Sequence, residues 1–183
     1  HPGDEVAVWV ISFGEIGAYM DEARTYPNLA KVRWFGSDGT VNAPELVDPA
    51  APEISAFAAN VTFTSPIFSP LPATWKYDKV HDHVVDTFGR EPDSYAYNIY
   101  DMVWAYAFSL MATREYDAEA IHAVFPDVVK EMYGAAGWVD FDENGDRKPT
   151  DYELWLVEEV EVRVYDWTRV GMWNLATDTL TWL

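Results

Sequence analysis

The chain has 183 residues, and its 31 acidic against 12 basic side chains give a formal net charge of −19. With 49% hydrophobic and 16% aromatic residues it has enough apolar matter for a core, in one domain or two small ones, which excludes a disordered chain. So acidic a chain offers no basic face to phosphate, which excludes a nucleic-acid ligand, and without cysteine it has neither disulfides nor thiolate metal sites.

The first apolar run, Val6-Ala7-Val8-Trp9-Val10-Ile11, reads as a buried strand ending in Ser12-Phe13-Gly14-Glu15. A helical pattern follows through Ile16, Tyr19, Met20 and Ala23. The second run, Val32-Arg33-Trp34-Phe35, ends in Gly36-Ser37-Asp38-Gly39. Strand, helix, strand is a βαβ unit with parallel strands. Parallel strands open their C-terminal loops at one edge of the sheet, where open α/β folds bind ligands. Ser12, Phe13 and Asp38 are therefore expected near one another at the mouth of a cleft.

Past Asp38 a Pro/Ala-rich stretch leads into a short helix through Ile54 and Phe57. Residues 61–64 read as a third strand that stops at Ser65-Pro66. Pro66, Pro70 and Pro72 then form a stiff connector between lobes. A helix is expected from Trp75 to Phe88, closed by Gly89. A second begins at Asp93 and runs to about Thr113, apolar on most sides and so expected to be deeply buried. Asp117 caps a third, carrying Ile121, Val124, Phe125, Val128 and Val129. Residues 137–141 read as a short strand and 142–146 as a turn. From Tyr152 to Trp182 the pattern is strand-like, with turns at Asp166 and near Thr177.

Taken in order, several of these stretches resemble the branched-chain amino-acid-type substrate-binding proteins of ABC transporters. The stretches are the strand ending in Ser12-Phe13-Gly14, the helix closing on Asp21-Glu22-Ala23, and Phe35-Gly36-Ser37-Asp38-Gly39. Further along come Phe88-Gly89-Arg90-Glu91-Pro92, Tyr95-Ala96-Tyr97-Asn98-Ile99-Tyr100-Asp101, residues 137–146, and Val170-Gly171-Met172-Trp173. Their order and spacing span nearly the whole chain but cover only the C-terminal half of that family. The resemblance implies part of a two-lobed type I periplasmic-binding-protein fold. It would be α/β, with parallel sheets flanked by helices and antiparallel strands near the C-terminus. By analogy residues 1–65, with 152–183 returning, are part of the second lobe, and 66–151 are a mainly helical part of the first. A chain that starts at His1 and enters a strand within five residues fits a fragment of such a protein.

The resemblance also implies an extracytoplasmic solute-binding component that does no chemistry. It would hold a small polar ligand, such as an amino acid or amide, between two lobes and deliver it to a membrane permease. The full-length protein would be lipid-anchored outside the cytoplasm. Yet no signal peptide or lipidation motif is present in this chain, and no apolar run reaches the roughly 18 residues that span a bilayer. Its acidity is that of a solvated surface and suits a salty or acidic exterior.

Asp38 matches the family loop whose acidic residue holds a ligand ammonium, and a carboxylate there makes a charge-assisted bond to an amine. Its alternative is a plain Asx-turn. Ser12 and Phe13 precede a helix N-terminus whose N–H groups suit a ligand carboxylate, with helix capping as the alternative role for Ser12. Tyr95 aligns with an aromatic position that lines the ligand pocket, against plain core packing. No catalytic residue, cofactor or metal is expected. The run Asp140-x-Asp142-x-Asn144-Gly145 starts like a calcium loop, but its last position is Asp151, Arg147 fills the usual apolar position, and Pro149 interrupts it. His81 and His83 diverge by about 200° on a helix. The nine Trp read mostly as core packing. The competing reading is a small α/β hydrolase or carbohydrate-active enzyme using Asp38 and Glu15, which needs two carboxylates facing each other about 5–10 Å apart. An incomplete sheet leaves open edges, so the isolated chain is also expected either to associate with copies of itself or to pair with the absent segment.

Overall fold

A computed structural model describes residues 6–70, 74–148 and 150–183. Pro72, Pro149 and the first five residues lie outside the described residues. The chain divides into two compact units, residues 1–68 with 151–183, and residues 69–150.

Unit 1 is built on a six-stranded sheet. Strand β1 (Ala7–Trp9) is followed by α1 (Ile16–Ala23) and β2 (Arg33–Phe35), then α2 (Pro52–Asn60) and β3 (Thr64–Phe68). The chain returns in β6 (Tyr152–Glu161), β7 (Val164–Asn174) and β8 (Thr179–Trp182), and the sheet order is β1-β2-β3-β6-β7-β8. The β1–β2 and β2–β3 pairs are parallel, and every pair from β3 onward is antiparallel. Helix α1 buries Ile16, Met20 and Ala23, whereas Tyr19 faces out. These side chains pack with Trp34, Leu46, Phe57, Val61, Phe63, Val157 and Trp167 into one core. The two buried indoles keep their N–H groups bonded, Trp34 to the Leu29 carbonyl at 3.0 Å and Trp167 to the Ala43 carbonyl at 3.2 Å. An unpaired donor there would offset part of the ~1.5–3 kcal/mol that each large side chain contributes by burial.

Unit 2 holds α3 (Trp75–Phe88), α4 (Ser94–Thr113), α5 (Ala118–Lys130) and a small hairpin of β4 (Tyr133–Gly134) and β5 (Gly137–Trp138). Thr74, Asp93 and Asp117 cap the three helices by accepting from Tyr77, Ala96 and Ala120 N–H groups. Gly89, at φ +65, closes α3. Asp101 on α4 is buried, and its carboxylate accepts from the Ala135 and Ala136 N–H groups at 2.5 and 2.8 Å. A Cβ on Gly134 would collide with that carboxylate, so glycine is what lets the hairpin approach. Burial, the largest influence, lifts the Asp101 pKa, and the two N–H groups, Arg147 and Lys76 oppose it. Arg147 donates to Asn98 and to the carbonyls of Ala136 and Trp138, fastening the hairpin further.

Four sequence expectations are corrected. The third strand does not stop at Ser65-Pro66 but continues to Phe68. Thr64 turns its carbonyl toward β2, where it accepts from Gly36 N–H. Pro66, two residues on, turns the same way, where β2 has already ended, so its missing N–H costs no ladder bond. Asp166 is no turn; it pairs with Glu158 inside β7, and the hairpin turns at Val162-Arg163, where Arg163 takes φ +60. Helix α4 is not deeply buried: only Ser94, Tyr97, Asp101, Ala105 and Ser109 are covered, in one stripe. Nor do most Trp pack in a core, since Trp9, Trp75, Trp104, Trp138 and Trp182 are all exposed.

Candidate functional site

The C-terminal ends of β1 and β2 and the start of β3 meet through short side chains. Past β1, Ser12 is buried, and its N–H donates to Ser37 Oγ at 3.4 Å. Ser37 Oγ in turn donates to the Ser12 carbonyl at 3.3 Å, so the two strand-end loops are tied reciprocally. Thr40 Oγ1 donates to the Ser37 carbonyl at 2.7 Å and lies 2.8 Å from Ser65 Oγ of β3. Trp9 Nε1 bonds the Gly36 carbonyl at 3.2 Å.

Two glycines allow this closeness. A Cβ on Gly36 would fall on Thr40 Oγ1 and Ser65 Oγ, and 2.6 Å from Phe63 Cζ. A Cβ on Gly39 would lie 2.7 Å from both the Phe13 ring and the Ser12 carbonyl. The expectation that Ser12, Phe13 and the Asp38 loop lie together therefore has a geometric basis in packed backbone. Phe13 presents its ring to solvent, 66% exposed. Asp38 is exposed and opens a single short turn, Asp38–Thr40, where its Oδ1 accepts from Gly39 N–H at 2.9 Å.

Ser12 does not cap α1. The N-cap is Glu15, with no side-chain cap bond. The carboxylate of Glu45 stands beside the α1 start: a Cβ on Gly14 would lie 3.2 Å from Glu45 Oε1, and one on Gly17 2.7 Å from Glu45 Cβ. The first turn of α1 thus faces an internal acid, placed where its partial positive charge stabilises it. Sequence reasoning passed over Ser37, Thr40, Ser65 and Glu45. The available signal was small hydroxyl residues after the first two strands and at the start of the third.

Unit 2 carries Tyr95 on the first turn of α4, 43% exposed. The oxygens of the calcium-like run serve the turn itself. Asp142 Oδ1 accepts from the Asn144 and Asp146 N–H groups at 2.8 and 3.0 Å, which holds its pKa below the usual carboxylate range. Asp140 pairs with Lys148, which lowers its pKa in the same way. Among the described residues no group of three or more His, Asp or Glu is arranged to hold a metal ion, and none of their helices is long and apolar enough to cross a membrane.

Among proteins of known sequence, this chain is 27% identical over 192 residues to an uncharacterized protein of Methanocaldococcus jannaschii, spanning 98% of this chain and 43% of that protein. A leucine-binding protein of Thermotoga maritima superposes with a TM-score of 0.65 at 17% identity, over 96% of this chain and 50% of that one. A branched-chain amino acid transporter substrate-binding protein of Streptococcus pneumoniae, solved with isoleucine, gives 0.62 at 20% identity, over 92% and 46%. A solute-binding protein of an ABC transporter from Rhodopseudomonas palustris, solved with benzoate, gives 0.60 at 11%, over 91% and 42%. The chain therefore spans half or less of the length of the proteins it matches. Its parallel strands, flanking helices and antiparallel C-terminal strands form part of a type I periplasmic-binding-protein fold. The family model described as the receptor family ligand binding region matches residues 2–159, and the chain belongs to that family.

Proposed function

We propose that the chain is the solute-binding part of an extracytoplasmic ABC uptake component that carries out no chemistry. The carrying observation is the joined rim of β1 and β2, where an exposed ring, Phe13, and an exposed carboxylate, Asp38, stand over backbone packed through Gly36 and Gly39. An aromatic wall beside a carboxylate suits a small ligand with an ammonium group, such as an amino acid or an amide carrying an amine. The structural neighbours solved with isoleucine and with benzoate support a small organic solute. Ser12 serves this rim through its backbone, as the link to Ser37, and Tyr95 is the proposed aromatic contact from unit 2. In this reading unit 1 is part of the second lobe, unit 2 is the returning part of the first, and the partner that receives the solute is a membrane permease.

The test is calorimetric titration of the chain with a panel of free amino acids and their des-amino acids. Asp38→Asn should weaken binding of the amine-bearing ligand by ~1.5–3 kcal/mol, the worth of a hydrogen bond to a charged group, and leave the des-amino analogue unaffected. Equal loss for both analogues, or none for either, would remove Asp38 from the ligand's amine.

A further inference from the structure

Helix α2 ends on a residue that its own geometry disfavours. Val61 is the C-cap. Beyond it Thr62 N–H donates to the Ala59 carbonyl and Phe63 N–H to the Ala58 carbonyl, both at 3.0 Å, the paired bonds of a Schellman close. That close needs a left-handed residue after the cap, and Thr62 takes φ +49. Glycine is the usual occupant, because a Cβ there crowds the following carbonyl oxygen, and a β-branched side chain fares worst. Packing does not explain the threonine. Thr62 is exposed, and among the described residues its hydroxyl donates only to the carbonyl of the adjacent Val61, at 2.8 Å.

The hydroxyl gains a meaning from the residue two positions upstream. Asn60-Val61-Thr62 is an Asn-x-Thr triplet, the acceptor for transfer of a glycan to asparagine, and no other asparagine of the chain is followed two positions on by Ser or Thr. The fold presents the triplet outward. Val61 is 1% exposed and its carbonyl accepts from Trp34 N–H at 3.1 Å, so the middle residue is pinned to the core. Asn60 and Thr62 on either side are exposed. Asn60 Nδ2 donates to the Ala30 carbonyl at 3.1 Å, which uses one of its two hydrogens. The place also suits a bulky group. Asn60 and Ala30 precede the parallel strands β3 and β2, at the edge of the sheet opposite the rim of Phe13 and Asp38. We propose that Asn60 is a glycosylation site, an inference that rests on the extracytoplasmic reading above. Nδ2 bonds the anomeric carbon of a lipid-linked sugar, the lipid phosphate leaves with the electron pair, and Nδ2 gives up one proton. The hydrogen that remains keeps the bond to Ala30, so the glycan leaves the end of α2 in place.

The experiment has two parts. In the protein purified from its own cells, peptide mass spectrometry should find a glycan on Asn60, and protease added to intact cells should reach the chain. A reachable chain with a bare Asn60 would overturn the proposal and spare the extracytoplasmic reading, whereas a shielded chain with a bare Asn60 would overturn both. In a eukaryotic secretory host, the whole chain behind a secretion leader should gain the mass of one N-glycan, released by a glycan amidase. Asn60→Gln and Thr62→Ala should lose that mass, and Thr62→Ser should keep it. Thr62→Gly suits the left-handed position better than the parent residue. It should raise the melting temperature and still abolish the glycan, a loss that misfolding cannot explain. A secreted parent that stays bare, or a glycan that survives Thr62→Gly, would overturn the proposal.

Discussion

Gly36 shows how much a single missing Cβ can organise. Its Cα sits where hydroxyls from Thr40 and Ser65 and the Phe63 ring converge, so any side chain must push β2, β3 or the Asp38 turn aside. Gly36→Ala should therefore destabilise unit 1 by ~1–3 kcal/mol, the usual cost of overpacking. Chemical denaturation checks this, and an unchanged midpoint would mean that the strand ends give way easily. The sequence made the loop readable as a ligand rim, because Gly-Ser-Asp-Gly after an apolar run announces a turn. It did not announce that Gly36 and Gly39 serve close packing, since that depends on partners the fold brings, Thr40, Phe63 and Ser65 to Gly36 and Phe13 and Ser12 to Gly39. Ser37 and Thr40 escaped notice for the same reason: a hydroxyl gains meaning only from the partner that the fold brings to it.

Elements were legible where their local signals were complete. Helix α3 lies where its periodicity and Gly89 put it, and α4 and α5 follow their Asp caps. The failures share one physical origin, a local rule overridden by distant context. Pro66 ends a strand in isolation but is harmless beyond the last residue of β2. An all-round apolar helix reads as core, yet α4 finds covering on one stripe alone. Asp166 looks like a turn residue, but a pairing with Glu158 holds it extended. One joint between elements depends on pH. His81 on α3 faces Asp82 through Nδ1 at 3.0 Å and Glu91, in the segment before α4, through Nε2 at 2.9 Å. The hydrogen bond to Asp82 and then Glu91 raise its pKa above 6.5, against a smaller lowering by burial. A histidine whose folded pKa is raised stabilises fully below its unfolded value, and the contribution is lost as pH rises through the folded one. The melting temperature of the parent should thus exceed that of His81→Gln at about pH 6, and the gap should close toward about pH 9. A gap independent of pH would show that the imidazole acts by packing against Tyr77 and not by charge.

For the molecule as a whole, charge is the dominant physical fact. Thirty-one acids against twelve bases repel one another across a small surface, and only a few described carboxylates have cationic partners, such as Asp21 with Arg24 and Glu153 with Arg169. Salt shortens the reach of that repulsion from about 10 Å at 0.1 M to about 3 Å at 1 M. The melting temperature should climb by at least ~2–4 °C between about 0.1 M and 1 M sodium chloride, equivalent to about 1 kcal/mol at this chain length. A flat or falling curve would mean that the acids are already spaced widely enough to ignore one another. The order of assembly follows from the sheet. Its parallel and antiparallel parts are joined only where β3 lies against β6, and Phe68, where the chain leaves unit 1, is the partner of Tyr152, where it comes back. A ribosome must therefore deliver all of residues 69–150 before the central seam of unit 1 can close. Closing so long a loop costs entropy that grows only slowly with its length, and less still if the inserted unit has already collapsed. The helices of unit 2 are local structures that form quickly, whereas the β3–β6 pairing is a long-range contact that waits. The βαβ rim must therefore hold its two glycine loops together without the antiparallel half until residues 152–161 have been made.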